Sequence, residues 1–265
     1  MNILVCVKQV PDTDKITIDP VRHTLQREGA AAILNPYDAN ALEVGLRLRE
    51  SSGGTVTVLT MGPQQAKSML EGCIASGADN AFLITGKSFA GADTLATAYA
   101  LTAAIAHMER AQGASFDLIL CGKQTLDGDT AQVGPMLAEL LEIPQITGIR
   151  EADAHDGCIT VLRQTSQGQE QLRCALPALI TVSATPWPLR IPSLKSKLAA
   201  RKKEIVLLDE TLPELDLNRC GLKGSPTRVV STAVRVCQRK CVMLSDTRQL
   251  ARLLREPKGG ADHAD

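Results

Sequence analysis

The sequence predicts an α/β fold with three α/β/α layers, a doubly wound and mostly parallel sheet, an antiparallel extension at one edge and a C-terminal arm. Short apolar runs alternate with helical patterns through the first two thirds of the 265 residues. The loops between them are short, as in successive βαβ units. After residue 150, alternating runs and then an aperiodic basic stretch replace these units. We therefore predict a sheet domain with its edge hairpin over 1–185 and an arm over 186–265, which we expect to pack on another protein.

The first half of the sheet domain is predicted from buried strands and the helices between them. Continuous apolar runs such as ILVCVKQV are typical of strands that are covered on both faces. We expect Asn35 or Asp38 to cap the first helix and Gly53 to end it. The predicted elements are strand 3–10, hairpin 16–27, helix 35–50, strand 55–62, helix 64–77, strand 80–85 and a helix within 86–110. One face of the last helix is apolar at three- and four-residue spacing, with Leu95, Ala98, Leu101, Ile105 and Met108.

The second half adds one more strand and helix and then changes character. Apolar residues at helical spacing follow Val133, and Pro144 is expected to end that helix. Later runs alternate between apolar and polar residues, which favours antiparallel strands at an edge. The predicted elements are strand 116–121, the helix after Val133, strand 145–149 and two antiparallel edge strands over 158–164 and 171–182.

Composition excludes two classes of partner. Lys and Arg together number 29, as do Asp and Glu, so no net positive charge attracts nucleic acid. Three Phe, two Tyr and one Trp are too few rings for a surface that stacks bases. No apolar run is long enough for a membrane span, and the N-terminal run is too short for a signal peptide. We therefore expect a cytoplasmic protein, whose eight scattered cysteines are reduced and unreactive.

Four polar loops follow the predicted strands, at the edge where open α/β sheets bind ligands. They cover 8–14, 61–63, 86–94 and 121–134, and the turn at 35–38 is expected nearby. Backbone N–H groups at helix N-termini, as at Thr130 and Gln132, suit a phosphate or pyrophosphate. We expect Asp129 to cap the helix that follows or to bind a sugar hydroxyl. This predicts a nucleotide site on a Rossmann-like, adenine-nucleotide-binding fold, although neither G-x-G-x-x-G nor a Walker A pattern is present.

These loops carry little equipment for acid–base catalysis. The four histidines, at 23, 107, 155 and 263, lie outside them and are interpreted as ordinary surface residues. Aspartates in the loops could bind Mg²⁺, but helix caps and ribose contacts are the favoured interpretation for Asp12, Asp14, Asp93, Asp127 and Asp129. We therefore predict no catalytic residue and no metal, and a nucleotide holder rather than a stand-alone enzyme.

A basic stretch begins the arm, and two interpretations of it stay open. It is either a solvated face or a surface that docks an acidic partner. Its charged residues are Arg190, Lys195, Lys197, Arg201, Lys202 and Lys203.

Several long motifs in order resemble the β subunit of electron transfer flavoproteins along nearly the whole chain. They are MNILVCVKQVPDT, NPYDANALE, VLTMGP, GADTLAT, CGKQTLDGDTAQVGP, EQLRCALPALIT and RIPSLKSKLAARKKEI. The resemblance implies a heterodimer with an α subunit, which carries an FAD and is wrapped by the β-subunit arm. It implies electron transfer to an acyl-CoA dehydrogenase or to a quinone- or ferredoxin-linked acceptor.

The resemblance also implies which residues hold the nucleotide. In conventional members of the family the β-subunit ligand is AMP, whereas in electron-bifurcating members it is a second FAD that NADH reduces. By position, the contacts would come from Cys6, Val7, Asn35, Tyr37, Asp38, Met61, Gly122, Lys123, Gln124, Asp127, Gly128, Asp129, Thr130, Ala131, Gln132, Val133 and Gly134. VKQVPDT and GADTLAT resemble the bifurcating kind, in which Asp93, Thr94 and Thr97 would lie beside the flavin ring.

Three hypotheses follow. The first is an electron-carrier subunit with FAD in the β site, with a conventional carrier that holds AMP as its variant. The second is a nucleotide-sensing module similar to universal stress proteins. The third, a nucleotide-hydrolysing enzyme, is disfavoured because no convincing base or metal cluster is present.

Overall fold

A computed structural model describes residues 1–12, 17–18, 25–26, 32–228, 230, 243–244 and 246–255. The chain divides into one unit over Met1–Val229 and a second over Val230–Asp265. The strands, all in the first unit, are β1 (Asn2–Cys6), β2 (Gln9–Pro11), β3 (Thr17–Ile18), β4 (Leu25–Gln26), β5 (Ala32–Leu34), β6 (Thr55–Met61), β7 (Asn80–Ile84), β8 (Leu118–Gly122), β9 (Gln145–His155), β10 (Cys158–Thr165), β11 (Gly168–Ala175), β12 (Ala178–Val182) and β13 (Val206–Leu208). The helices of the first unit are α1 (Pro36–Ser52), α2 (Lys67–Ser76), α3 (Thr94–Gln112), α4 (Val133–Leu140), α5 (Leu194–Ala200) and α6 (Gly221–Gly224).

A nine-stranded sheet in the order β11-β10-β9-β12-β8-β1-β6-β7-β13 forms the centre of the first unit. Its strands run parallel from β9 to β13, whereas β10 and β11 pair antiparallel at the edge beyond β9. The chain leaves β1 towards β6 and β7, and later returns to its other side with β8. The strand order therefore reverses at β1, and a crevice opens beyond the carboxyl ends of β1 and β8.

Alternate side chains of each strand supply two hydrophobic cores, one on each face of the sheet. Ile3 and Val5 face the core that includes α1 and α2, whereas Leu4 and Cys6 face the core that includes α3 and α4. Apolar residues on both faces explain why the strands are continuous apolar runs. The predicted three-layer, mostly parallel α/β fold with an antiparallel edge is confirmed.

Local signals explain most helix ends. Asp93 caps α3 by accepting the N–H groups of Leu95 and Ala96, and Gly113 ends that helix at φ 67°. Gly53 ends α1 at φ 73°, as predicted. The predicted side-chain cap of α1 is wrong, because Asn35 stands at the cap position but bonds the loop after β8 instead.

Three predicted elements are corrected. The strand predicted over 3–10 ends at Cys6, and a separate short strand, β2, pairs with β5. The run predicted as one antiparallel strand over 171–182 is two strands, of which β12 lies inside the sheet and parallel to β8 and β9. All five residues of β12 are buried, which is typical of an interior parallel strand. Leu95 does not belong to the buried face of α3, because it lies in the exposed first turn.

Residues after 186 do not all lie apart from the sheet. Strand β13 pairs with β7 at the sheet edge, and Leu208, Leu212 and Cys220 join the second core. In the second unit the structure describes one helix, α7 (Thr247–Arg255). The predicted hairpin over 16–27 is described only where β3 pairs with β4. Within the described parts of the chain, no helix is both long and apolar enough to span a membrane.

Candidate nucleotide-binding site

A cavity of about 940 Å³ opens where the strand order reverses. The ends of β1, β6, β7 and β8 and the starts of α3 and α4 contribute to its walls. The loop between β8 and α4, which covers 123–132, and the segment between β7 and α3, which covers 85–93, both line this cavity. We name the part of the cavity beside 123–132 the loop compartment and the part beside 85–93 and the start of α3 the far compartment.

Asp38 joins two strand ends at the base of the cavity. Its Oδ2 accepts the backbone N–H of Lys8 at 2.7 Å, and its Oδ1 accepts that of Gly122 at 3.0 Å. Burial raises the pKa of Asp38 to about 7, although hydrogen bonds from Asn35 and these backbone groups lower it. A Cβ added at Gly122 would lie only 2.2 Å from Asp38 Oδ1, so a side chain there is incompatible with this contact. Asp38 is thus a positioning residue for the loops after β1 and β8.

Asn35 anchors the loop between β8 and α4. Its amide donates to the carbonyl of Gln124 at 2.8 Å, and its Oδ1 accepts the N–H of Leu126 at 3.3 Å. The side chain is fully buried, so Asn35 holds the loop from behind and does not line the cavity.

The loop itself is built to present backbone N–H groups. Asp129 and Ala131 adopt left-handed backbone conformations, at φ 53° and 55°. Such conformations next to right-handed ones turn successive N–H groups into a concave anion site, and they are uncommon for residues with side chains. The Gln124 amide bonds Asp129, and Lys8 pairs with Asp127 at 2.7 Å. These contacts hold the two acidic side chains, so the loop fits a phosphate group.

The predicted role of Asp129 as a helix cap is wrong. Helix α4 begins at Val133 with Gln132 at its cap position and without a side-chain cap. Asp129 lies too early in the chain for that role and bonds within the loop. Gly134 brings α4 close to the sheet, because a Cβ there would lie 2.6 Å from Thr181 Cγ2.

The far compartment is formed around the start of α3. Asp93 caps this helix, and the predicted capping role of this residue is confirmed. Thr94 donates from its hydroxyl to Gln132 Oε1 at 3.2 Å, which links the starts of α3 and α4. Thr97 and Leu101 line the next turn of α3.

Two thiols lie side by side in the cavity wall. Cys6 and Cys121 are register partners on β1 and β8, and both are buried. A hydrogen bond with Cys6 and burial both raise the pKa of Cys121. Cys121 is therefore protonated at neutral pH and is not a ready nucleophile. The six cysteines that the structure describes are free thiols.

All but four of the predicted site residues line the cavity. The exceptions are Asn35, which holds the loop between β8 and α4, Tyr37, and Asp127 and Asp129, which bond within or next to that loop. Sequence reasoning missed Thr85 and Thr227, and it placed Lys8 and Phe89 in the predicted loops without naming them as contacts. The VKQVPDT motif contains Lys8, but no local pattern indicates Thr227, because it comes from more than 90 residues beyond the cavity wall in the sequence.

Acid–base and metal chemistry find little support among the described residues. His107 pairs with Glu214 at 3.3 Å and His155 with Asp153 at 2.9 Å, and neither histidine lines the cavity. The described residues contain no group of His, Cys, Asp and Glu that could hold a metal ion. His23, His263 and Asp14 lie outside the described residues.

The fold and the cavity define a class of protein, the doubly wound α/β domain with a ligand cavity at the switch point of its sheet. Residues 23–213 match the electron transfer flavoprotein domain. The chain is 48% identical over 234 residues to the electron transfer flavoprotein subunit beta of Thermoanaerobacterium thermosaccharolyticum, and the match covers 88% of each chain. The chain therefore belongs to the electron transfer flavoprotein family, among its β subunits, which confirms the resemblance.

Two further relatives carry other names. Protein FixA of Sinorhizobium fredii is 45% identical over 233 residues, which are 86% of this chain and 81% of that protein. Caffeyl-CoA reductase-Etf complex subunit CarD of Acetobacterium woodii is 42% identical over 230 residues, which are 86% of each chain. The role of this chain is thus that of an electron transfer flavoprotein subunit.

Proposed function

We propose that the cavity holds FAD and that the chain passes electrons from NADH, or from a dehydrogenase, to an FAD on an α subunit. From there they reach an acyl-CoA dehydrogenase, a quinone or a ferredoxin-linked acceptor. The observation that carries this proposal is the size of the cavity, which is lined both by the loop 123–132 and by 85–93 with the start of α3. The alternative is that the loop compartment holds AMP as a structural ligand and that all electrons pass through the α-subunit flavin.

Cavity size favours the larger ligand. Sites for small molecules and cofactors occupy roughly 300–1,000 Å³, and this one, at about 940 Å³, is near the upper end. AMP would need only the loop compartment for its phosphate and the strand ends for its adenosine. The far compartment leaves room for the parts that FAD has in addition, which are the second phosphate, the ribityl chain and the flavin ring.

The residues divide by the part of FAD that each would contact. Backbone N–H groups between Thr130 and Gly134 would hold the pyrophosphate, because the left-handed conformations of Asp129 and Ala131 are typical of a concave anion site. Cys6, Val7 and Met61 at the strand ends would contact the adenosine part. Asp93, Thr94 and Thr97 would lie beside the flavin ring.

The proposed function requires no reacting side chain from the protein. FAD, when bound, supplies the electron-accepting centre, and the protein binds it, orients it and excludes water. The protonated Cys121 thiol suits this role because it adds no charge to the wall, and the buried Phe89 suits it because its ring is apolar. An electron-transfer function is consistent with described cavity walls that lack histidine.

The proposal includes an α-subunit partner and a cytoplasmic location. One relative is named as a subunit of a caffeyl-CoA reductase–Etf complex, which supports an assembly of several chains. The arm after 186 is proposed to pack on the α subunit, and its exposed basic residues Lys195, Lys197, Arg201 and Lys202 to face acidic surfaces of redox partners. Arg190 is not among them, because it pairs with Glu43 and Glu50 of the same chain. Family membership favours this function over the nucleotide sensor and the hydrolase.

The variant Thr97→Phe tests the proposal. A ring at this position would occupy the far compartment and leave the loop compartment free. In a heterodimer with an α subunit, we expect NADH to bleach β-site flavin absorbance in the wild type and not in the variant. AMP affinity, measured after removal of flavin, should be equal in both and serves as the folding control. Equal flavin content and equal bleaching in both proteins would contradict the proposal.

A further inference from the structure

Residues 208–227, which we name the strap, run along the outside of the far compartment. Its two ends, 208–210 and 222–225, bond the cavity segment 85–93 in the same chain direction, with a contact every two or three residues of that segment. The contacts are Thr85 N–H to the Leu208 carbonyl at 2.9 Å, Ser88 N–H to Glu210 Oε1 at 2.6 Å, Leu222 N–H to the Ala90 carbonyl at 3.0 Å and Asp93 N–H to Ser225 Oγ at 2.8 Å.

Two glycines allow the strap to approach the cavity segment this closely. Gly221 has φ 53°, and a Cβ there would lie 2.2 Å from the Ser88 carbonyl oxygen. A Cβ at Gly86 would lie 2.8 Å from Glu210 Oε1. Because both sides of the contact leave out a side chain, the strap packs closely against the cavity segment.

The last strap contact converges on one carboxylate. Asp93 Oδ1 caps α3, and its Oδ2 accepts both the N–H and the hydroxyl of Thr227, at 3.0 and 2.8 Å. Burial raises the pKa of Asp93, but hydrogen bonds from Ala96 and Thr227 lower it further, so the group is ionised at neutral pH. Hydrogen bonds to a charged acceptor are the stronger kind.

Ser225 holds the backbone of the same aspartate. Its buried hydroxyl accepts the N–H of Asp93 and donates to the Gly221 carbonyl at 2.7 Å. Thr227 itself lines the cavity. The strap therefore holds Asp93 both by its backbone N–H and by its carboxylate.

We propose that Thr227 is a binding residue of the far compartment and that Ser225 and Thr227 are positioning residues, which fix Asp93 and so set how long a ligand stays there. The ligand part rests on the proposed function, in which the flavin ring of FAD occupies this compartment. A ligand confined to the loop compartment would not depend on these residues.

The test compares Thr227→Val with a matched control in the same strap. Thr211 also donates its hydroxyl to an aspartate, Asp209, at 2.6 Å, but it does not line the cavity. In the heterodimer we expect Thr227→Val to release FAD about ten-fold faster than the wild type, the effect of losing one hydrogen bond to a charged group. Thr211→Val should release it at the wild-type rate, and Thr227→Ser, which keeps the hydroxyl, should restore slow release.

A second measurement tests the positioning role of the strap independently of which ligand the cavity holds. Amide hydrogen exchange at Asp93, Leu95 and Ala96 should quicken in Thr227→Val and in Ser225→Ala without ligand, and stay unchanged in Thr211→Val. AMP affinity should be the same in all variants. Faster exchange in a heterodimer that holds only AMP would support the positioning role while the FAD proposal fails. Wild-type exchange together with wild-type FAD release in Thr227→Val would overturn the inference.

Discussion

Gly122 and Asp38 form the tightest contact at the base of the cavity, and the glycine is required there by space. An added Cβ would lie 2.2 Å from Asp38 Oδ1 and 2.7 Å from backbone atoms of Tyr37 and Asp38. We expect Gly122→Ala to lower the free energy of unfolding by about 1–3 kcal/mol, as overpacking does, and to weaken nucleotide binding. Urea unfolding and ligand titration measure both effects.

A glycine in open space provides the control for that variant. Gly72 lies in α2 with no atom within 4 Å of an added Cβ, so Gly72→Ala should be neutral or stabilising, by up to about 1 kcal/mol. If Gly122→Ala unfolds and binds as Gly72→Ala does, Asp38 does not clamp the strand ends.

The raised pKa of Asp38 predicts how the free energy of unfolding depends on pH. Burial raises its pKa from 3.8 to about 7, so the folded state holds a proton that the unfolded state releases. The contribution of Asp38 to stability is therefore fully present below pH 3.8 and is lost as pH rises through about 7. Asp38→Asn cannot titrate. We expect the free energy of unfolding of the wild type, relative to that of Asp38→Asn, to fall as pH rises across this window.

Urea unfolding at several pH values measures that difference. The Lys8 ammonium lowers the pKa of Asp38, so a Lys8→Met variant should move the fall to higher pH. A difference between wild type and Asp38→Asn that does not change with pH would rule out this ionisation.

The roles of single site residues could be predicted only in part from the sequence. The resemblance identified Asp38, but its capping role was wrong, because its two donors come from residues 30 and 84 positions away. A local pattern cannot show partners that only the fold brings together. Asp93 was predicted correctly as a cap, because the N–H groups it accepts lie two and three residues further along the chain.

Among the elements, the segment after β12 is held to α1 by one buried carboxylate. Glu43 accepts hydrogen bonds from Arg190 at 2.9 Å and from Arg47 at 2.8 Å, and only 3% of its side chain is exposed. Burial raises the pKa of Glu43, but the bond from Arg190 and its charge lower it further, so the pair is ionised. Arg47 also lies over the Trp187 ring.

Removal of this carboxylate should be costly. We expect Glu43→Ala to lower the free energy of unfolding by roughly 3–5 kcal/mol, because Arg190 is left without its buried partner. Glu50→Ala is the matched control, since Glu50 bonds the same arginine at 2.7 Å but is half exposed; it should cost less than about 1 kcal/mol. Chemical unfolding of the wild type and the two variants measures these losses. Similar losses in both variants would show that Glu43 stabilises the fold no more than Glu50 does.

Strands were predicted correctly where a continuous apolar run indicates them. They were mispredicted where only the neighbouring strands in the sheet determine their place. The run ALITV of β12 was placed at an edge because it directly follows an alternating run, yet it fills a gap between β8 and β9. Strand β13 was not predicted, because three residues carry no period and only their pairing with β7 makes them a strand.

For the whole molecule, the position of the site follows from topology. Strand order reverses at β1, and the cavity opens at that point, as the predicted parallel sheet requires. The sequence was therefore sufficient for the fold class and for the sheet edge at which the cavity lies. It was not sufficient for the contribution of the strap to the far compartment, because the strap is aperiodic in sequence and is placed by contacts with 85–93.

The most direct test of the account is the amount of FAD and AMP bound per heterodimer, after co-expression with an α subunit and quantitative release of both nucleotides. The account predicts two FAD and no AMP, with one FAD in the cavity described above. One FAD and one AMP per heterodimer would contradict it, and would mean that the loop between β8 and α4 holds a structural nucleotide only.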